Sequence, residues 1–422
     1  MINLCISAIA SNQGKTILTT ALLYHFRESV RPFKIGPDFI DPQFHQQVCG
    51  TPSVNLDSFI MTEDQVGWLY HHYSDKKVSI MEGVMGFYDG ENKGCSAYSI
   101  SKLLNTPTIL VLDGSGSYIT ISAVLKGLLE YRDDNTIKAV VLNNLSSKMH
   151  YKLIEDQINA DHPEIEVLGW IQKKLPALSN THLGLNLKDL SKIEQISKEV
   201  LEHIDLEKLR RVRFPTHQNI KIEKNDYPFP TIKKIDKKLA IVNDQNFSFI
   251  YHDNLMFLKE LFREVVIINA TKDQPIPDDC DTIYICGGYV ESDEAYNRIK
   301  NSTIFKNSLI KYAQTKPIYA ECAGLLYLSN RVDDKEMSGI LDIEFTLESR
   351  FTRLGYYYNE EGIKGHAFHY TKPTPKSLES AFDRLSKTIE GKGEFGSWSK
   401  GEVFGTYLHG MFRNNPKLML FK

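Results

Sequence analysis

The sequence predicts two α/β domains, each built around a largely parallel sheet. Three observations lead there. At 422 residues the chain is too long for one hydrophobic core. Short apolar runs alternate with helical patterns in both halves, which is the rhythm of strand–helix–strand units. Between the halves, residues 210–238 are basic, carry prolines at 215, 228 and 230, and lack an apolar period, as a linker does. The expected boundaries are therefore 1–209, 210–238 and 239–422.

In the first domain, apolar runs at 2–9, 78–81, 108–113 and 138–143 read as buried parallel strands, and 166–169 adds another. A helix is expected at 16–28, and a charged helical stretch at 187–209 closes the domain. The second rhythm starts with the strand 239–242 and continues through 265–268, 283–286 and 318–320. Residues 338–412 read as strand-rich with turns. There is no repeat of solenoid period.

Composition narrows the function classes. Apolar content of 42% with 24% charged residues suits a globular chain that buries a core. A net charge of −3 gives no field to recruit nucleic acid or an anionic membrane. The six cysteines form no CxxC pair, so neither a zinc site nor a disulfide framework is expected. Most read as small buried hydrophobes in a reducing compartment, and a cytoplasmic location is expected. The N-terminus lacks a signal peptide's charged and apolar regions, and no apolar run is long enough to span a bilayer.

The most informative stretch is Glu321-Cys322-Ala323-Gly324. It follows the apolar run Pro317-Ile318-Tyr319-Ala320 and precedes Leu325-Leu326-Tyr327-Leu328. Strand, sharp turn and helix would expose a thiol at the end of a sheet. A buried structural cysteine is the alternative, and the strand–turn–helix context argues against it. A general base must arrive through space, and His409 follows the strand-like run Val403-Phe404-Gly405-Thr406-Tyr407-Leu408. His366 and His369 compete for that role. Their i, i+3 spacing on an extended segment does not suit a shared metal, and they also read as core histidines. Gly287-Gly288 follows the strand 283–286, so the backbone N–H groups of Gly288 and Ala323 are the candidate oxyanion donors.

At the other end, Ser11-Asn12-Gln13-Gly14-Lys15-Thr16 joins a strand to a helix. Backbone N–H groups there cradle phosphates, a lysine meets the outer ones and a threonine hydroxyl ligates Mg²⁺. Gly14, Lys15 and Thr16 are the candidates, making this a P-loop-like domain. The full pattern would place glycine where Ile9 stands. The alternative is a surface turn that opens a helix. Asp38 and Asp41 lie three apart in Gly36-Pro37-Asp38-Phe39-Ile40-Asp41-Pro42, Glu82 follows the strand 78–81, and Asp89 precedes Gly90. Carboxylates beyond parallel strands face a ligand crevice and can hold Mg²⁺ against triphosphate oxygens. They can equally bond their own turns. Asn143 ends a strand, where its amide suits an adenine edge or a helix cap. A phosphate-binding half joined to a thiol-hydrolase half suggests ATP-driven amidation.

The chain resembles the cobyrinic acid a,c-diamide synthase family over essentially its full length. The motifs that carry the resemblance are Gly14-Lys15-Thr16, Lys34-Ile35-Gly36 through Pro42, Glu82-Gly83-Val84-Met85-Gly86-Phe87-Tyr88-Asp89-Gly90, His182-Leu183-Gly184-Leu185, Gly287-Gly288-Tyr289, Tyr319 through Leu325, and Tyr407-Leu408-His409. It implies a dethiobiotin-synthetase-like ATP domain fused to a class I, triad-type glutamine amidotransferase domain. It implies that glutamine supplies nitrogen to the a and c acetate carboxylates of a corrin-type tetrapyrrole through acyl phosphates. Carried over by position, Lys15 and Thr16 bind ATP and Mg²⁺. Asp38, Asp41, Glu82 and Asp89 serve the metal, the acyl phosphate or the carboxylates, and Phe39 and Ile40 face the substrate. Tyr88, Tyr98, Phe39 and Phe87 are candidates to stack on the macrocycle, with core packing as the alternative.

Departures from the family pattern are Thr181 for arginine, Val290 for proline, Ala323 for glycine and Ala367 for glutamate. Gly410-Met411 follows His409 without the carboxylate that triad amidotransferases often keep there. A Cys322–His409 dyad is expected, its orienting partner open. The nearest rival is a Ni-sirohydrochlorin a,c-diamide synthase, and a rival of another class is a non-amidating partitioning-type ATPase with Cys322 structural. An exposed sheet edge is compatible with a homodimer.

Overall fold

Runs of buried aliphatic residues set the strands of this α/β chain, and the computed structural model describes residues 2–175, 190–213 and 227–419. They fall into two units, Met1–Pro228 and Phe229–Lys422.

The first unit begins with β1 (Ile2–Ala8), α1 (Lys15–His25), β2 (Val30–Ile35), α2 (Ile40–Cys49) and β3 (Val54–Leu56). It continues with α3 (Glu63–Tyr73), β4 (Val78–Glu82), α4 (Ala97–Leu103), β5 (Thr108–Asp113) and α5 (Ile119–Glu130). It closes with β6 (Ile137–Leu145), α6 (Lys148–Asp161), β7 (Glu166–Gln172), α7 (Leu190–Leu201) and α8 (Leu206–Arg211). All seven strands are parallel, in the order β3-β2-β4-β1-β5-β6-β7. Every residue of β2 and β4 is buried, as helices on both faces of a parallel sheet require. The loops after β1, β2 and β4 therefore meet at the carboxyl edge, where ligands of such sheets bind.

The sequence pattern predicts no strand at β2 or β3. Arg31 and Lys34 interrupt the apolar run of β2, yet both are buried because each has partners. Arg31 donates to both oxygens of Asp75 and to the carbonyls of Tyr73 and Pro52. The single helix expected at 187–209 is two helices in its described part, since 187–189 lie outside the described residues. The break occurs where Asp205 caps α8, accepting from the N–H groups of Glu207 and Lys208, and where its own N–H bonds Leu168 of β7. The expected linker 210–238 has ordered structure at both ends, α8 reaching Arg211 and the next strand starting at Ile235.

The second unit starts with β8 (Ile235–Val242), α9 (His252–Leu261), β9 (Phe262–Ile268), β10 (Thr282–Ile285), α10 (Asp293–Ile299) and α11 (Thr303–Tyr312). Next come β11 (Ile318–Glu321), α12 (Ala323–Leu328), β12 (Arg331–Val332), β13 (Lys335–Glu336) and β14 (Glu344–Leu347). The strand-rich end comprises β15 (Arg353–Tyr358), β16 (Lys364–His369), β17 (Thr371–Pro373), β18 (Ala381–Leu385), β19 (Glu394–Lys400) and β20 (Val403–Thr406). The main sheet runs β18-β19-β20-β11-β10-β8-β9, parallel from β20 to β9 and antiparallel at β18 and β19. One register matters most: Glu321 pairs with Thr406, so the ends of β11 and β20 leave the sheet side by side.

Candidate functional site

The second unit brings Cys322 and His409 together. Cys322 sits between β11 and α12 with φ 47° and ψ −103°, a conformation that costs a non-glycine residue about 1–3 kcal/mol. Its N–H bonds Thr406 O at 2.8 Å, which ties the turn to β20. Three residues beyond Thr406, the His409 imidazole lies close enough to the Cys322 thiol for the thiol to raise its pKa. Antiparallel bonds with His366 hold its backbone, His366 N–H to His409 O at 3.0 Å and His409 N–H to His366 O at 2.8 Å. Cys322 is buried, 6% exposed.

Behind that imidazole stands Glu321, whose Oε2 lies 3.1 Å from His409 Nδ1. Tyr284 donates to the same oxygen at 3.0 Å, and Tyr319 donates to Oε1 at 3.2 Å. Burial works against a charged His409, but the neighbouring Cys322 and Glu321 outweigh it and raise its pKa to about 10. The glycine turn lies against the same ring, since a Cβ on Gly287 would stand 2.4 Å from His409 Cε1. Gly288 has φ 148°, and a Cβ there would come 2.0 Å from Asn246 O, so only glycine fits. Ala323 is the first residue of α12, where helical N–H groups have no intrahelical partner.

The competing histidines take other parts. His366 serves through its backbone. His369 stacks on Tyr407 at 3.5 Å, and burial with nearby Arg353 pushes its pKa well down. Burial also raises the thiols of Cys5, Cys49, Cys280 and Cys286, as suits packing residues.

In the first unit, Gly14 has φ 95° and a Cβ there would lie 2.4 Å from Asn143 Nδ2. Asn143 itself donates to Gln13 O at 2.9 Å, so in this structure it braces the loop from β6. Lys15 folds over the loop and donates to the carbonyls of Ala10 and Met85 at 2.8 and 2.6 Å. Thr16 Oγ1 donates to Glu82 Oε1 at 2.8 Å, and His45 Nε2 holds the other Glu82 oxygen at 2.7 Å. Ser53 Oγ lies 3.1 Å from His45 Nδ1. The β2–β4 register places Lys34 directly opposite Glu82. Its ammonium reaches Asp41 at 2.5 Å, Glu82 at 3.6 Å and Asp38 at 3.7 Å.

The charges follow from that packing. Burial opposes a charged Lys34, yet Glu82, Asp41 and Asp38 together raise its pKa. Burial also opposes Glu82 ionisation, but Lys34 and His45 prevail and lower it to about 2. Asp41 is raised to about 6 by burial and by Glu82, against the pull of Lys34. Lys15 is lowered by burial and by Lys34. The hard oxygens of Thr16 and Glu82, side by side, suit Mg²⁺, which takes one or two protein ligands and draws the rest from phosphate and water.

The other candidates have further partners. Asp38 Oδ1 accepts from the N–H of Ile40 at the start of α2, and Asp89 Oδ2 from Gly86 N–H at 2.7 Å, so both bond their own turns. Phe39 is buried while Ile40 is half exposed. Phe87, Tyr88 and Tyr98 pack on one another with centroids 4.7 to 5.9 Å apart, Tyr88 bonds Leu128 O, and Tyr98 bonds Asp134. Phe87 and Tyr98 are buried, and Tyr88 is half-buried. Thr181 and His182-Leu183-Gly184-Leu185 lie outside the described residues.

Lys34, His45 and Glu321 were not singled out from sequence. Glu321 had a signal, because Tyr319 and Glu321 are i, i+2 on one strand and share a face. Among the described residues no helix is long and apolar enough to cross a membrane.

Residues 238–417 match the CobB/CobQ-like glutamine amidotransferase domain family. A Listeria monocytogenes protein named cobyrinate a,c-diamide synthase is 31% identical, the alignment covering 98% of this chain and 97% of that one. Proteins of the same name from Caldanaerobacter subterraneus and Limosilactobacillus reuteri are 33% and 32% identical. They cover 94% and 98% of this chain, and 91% and 96% of their own lengths. Similarity of that extent, across both units, shows that the chain belongs to the cobyrinate a,c-diamide synthase family.

Proposed function

We propose that the chain converts the a and c acetate carboxylates of cobyrinate to primary amides, using ATP and glutamine. The observation that carries this is the pairing of Cys322, on its positive-φ turn, with His409, in a chain whose other unit gathers Lys15, Thr16, Lys34 and Glu82 at the carboxyl edge of a parallel sheet. The macrocycle comes from the names of the relatives.

In the amidotransferase unit, the Cys322 thiolate attacks the glutamine carboxamide carbon. The N–H groups of Gly288 and Ala323 receive the oxyanion. The C–N bond breaks as His409 gives a proton to departing ammonia, and water then releases glutamate from the thioester. In the ATP unit, a substrate carboxylate oxygen attacks the γ-phosphorus, giving an acyl phosphate and ADP. Lys15 and Lys34 supply positive charge and alignment. Ammonia attacks the acyl carbon, phosphate leaves, and the amide forms. Thr16 and Glu82 would hold Mg²⁺, which when bound offsets the triphosphate charge. Asp41, raised toward neutrality, faces Lys34 where carboxylate substrates would arrive.

The test is incubation with cobyrinate, ATP and glutamine, followed by mass spectrometry. Two successive replacements of hydroxyl by amino are expected. Amidation of a different carboxylated tetrapyrrole, with none of cobyrinate, would reassign the substrate. ATP turnover indifferent to every tetrapyrrole would overturn the synthetase reading.

A further inference from the structure

We propose that Glu321 is the positioning residue of the amidotransferase site, holding His409 in the tautomer that receives and returns a proton at the nitrogen facing Cys322. The proposal deepens the function above and rests on Cys322 being the nucleophile.

Glu321 is the last residue of β11, adjacent in sequence to Cys322 and 2% exposed. A buried carboxylate costs several kcal/mol unless its lone pairs are met. Here they are met by three donors. Tyr284 on β10 and Tyr319 on β11 are register partners, so the sheet fixes both hydroxyls beside the carboxylate. The third donor is His409 Nδ1 at 3.1 Å. An ionised carboxylate only accepts, so Nδ1 carries the proton and Nε2 is left for the thiol. Both tyrosines are buried and keep their protons, burial and Glu321 raising them well above the ordinary phenol range. They cannot deliver a charge to His409, but they hold the group that does. The residues after His409, Gly410 and Met411, bring no carboxylate.

A purely structural Glu321 would be a polar filler between two tyrosines. The two roles separate in the full-length protein carrying Glu321→Gln, a near-isosteric change whose one carbonyl oxygen can still accept from one of the two tyrosines. Glutamine-supported amidation should fall about 10²–10⁴-fold in kcat with little change in KM for glutamine, as when an orienting carboxylate is replaced by its amide. Amidation supported by ammonium salts should keep its wild-type rate. The basic limb of the glutaminase pH profile should move to lower pH, because the imidazolium has lost its stabilising charge. A glutaminase rate within a few-fold of wild type with an unmoved profile would overturn the proposal. An equal loss with glutamine and ammonia would also overturn it, by making Glu321 structural. Cys322→Ser, run alongside, isolates the underlying assignment: if that variant still uses glutamine, the nucleophile is wrong whatever Glu321 does.

Discussion

Lys34 stands opposite Glu82 in the β2–β4 register, its ammonium 3.6 Å from that carboxylate and 2.5 Å from Asp41. A cation wholly inside an α/β sheet, ringed by acids at the edge where phosphates would sit, links stability to chemistry in one side chain.

Replacing it should damage both. Lys34→Met leaves the buried Glu82 and the partly buried Asp41 without their cation, which should cost about 3–5 kcal/mol of stability in the first unit. ATP-dependent amidation should be lost, while glutamine hydrolysis in the second unit should survive. Urea denaturation and a glutaminase assay on the same preparation check this. Wild-type stability in the variant would show that Lys34 is dispensable to the cluster.

Gly288→Ala should abolish glutamine use. The new methyl would sit 2.0 Å from Asn246 O at a φ of 148°, so the turn must move. Displacing one oxyanion donor typically lowers kcat about 10²–10³-fold. Activity with ammonium salts should remain, and its disappearance would mean that the damage reached beyond the second unit.

Asn143→Ala should raise KM for every nucleotide alike. Its amide holds Gln13 O, so removal loosens the loop by about 1 kcal/mol. A selective loss of ATP over GTP would instead restore the adenine-edge role expected from sequence.

The pKa of His409 has a stability consequence with a definite sign. Raised from 6.5 to about 10, it contributes stability that is fully present below pH 6.5 and lost as pH rises through about 10. Thermal melts from pH 6 to 10 should show wild type losing more than His409→Gln over that window. Parallel curves would contradict the imidazolium assignment.

Much of this architecture was legible in advance. Uninterrupted apolar runs gave β1, β4, β5 and β6 within a residue or two, because parallel strands covered on both faces need no alternation. Cys322 and His409 were legible because a thiol on a strand–helix turn and a histidine after a strand are local patterns. The register that joins them is not local, and neither is the glutamate behind them, since it depends on β10, β11 and β20 lying side by side. β2 was hidden by Arg31 and Lys34, whose burial makes sense only once Asp75, Asp41 and Glu82 are in place. The aromatics near Asp89 were open between a macrocycle platform and core packing, and Phe87, Tyr88 and Tyr98 pack on one another.

The most direct measurement is amidation of cobyrinate by Cys322→Ser with glutamine and, separately, with ammonium salt, each with ATP. The account predicts no amide from glutamine and a near wild-type yield of diamide from ammonium. Amide formation from glutamine by that variant would contradict it.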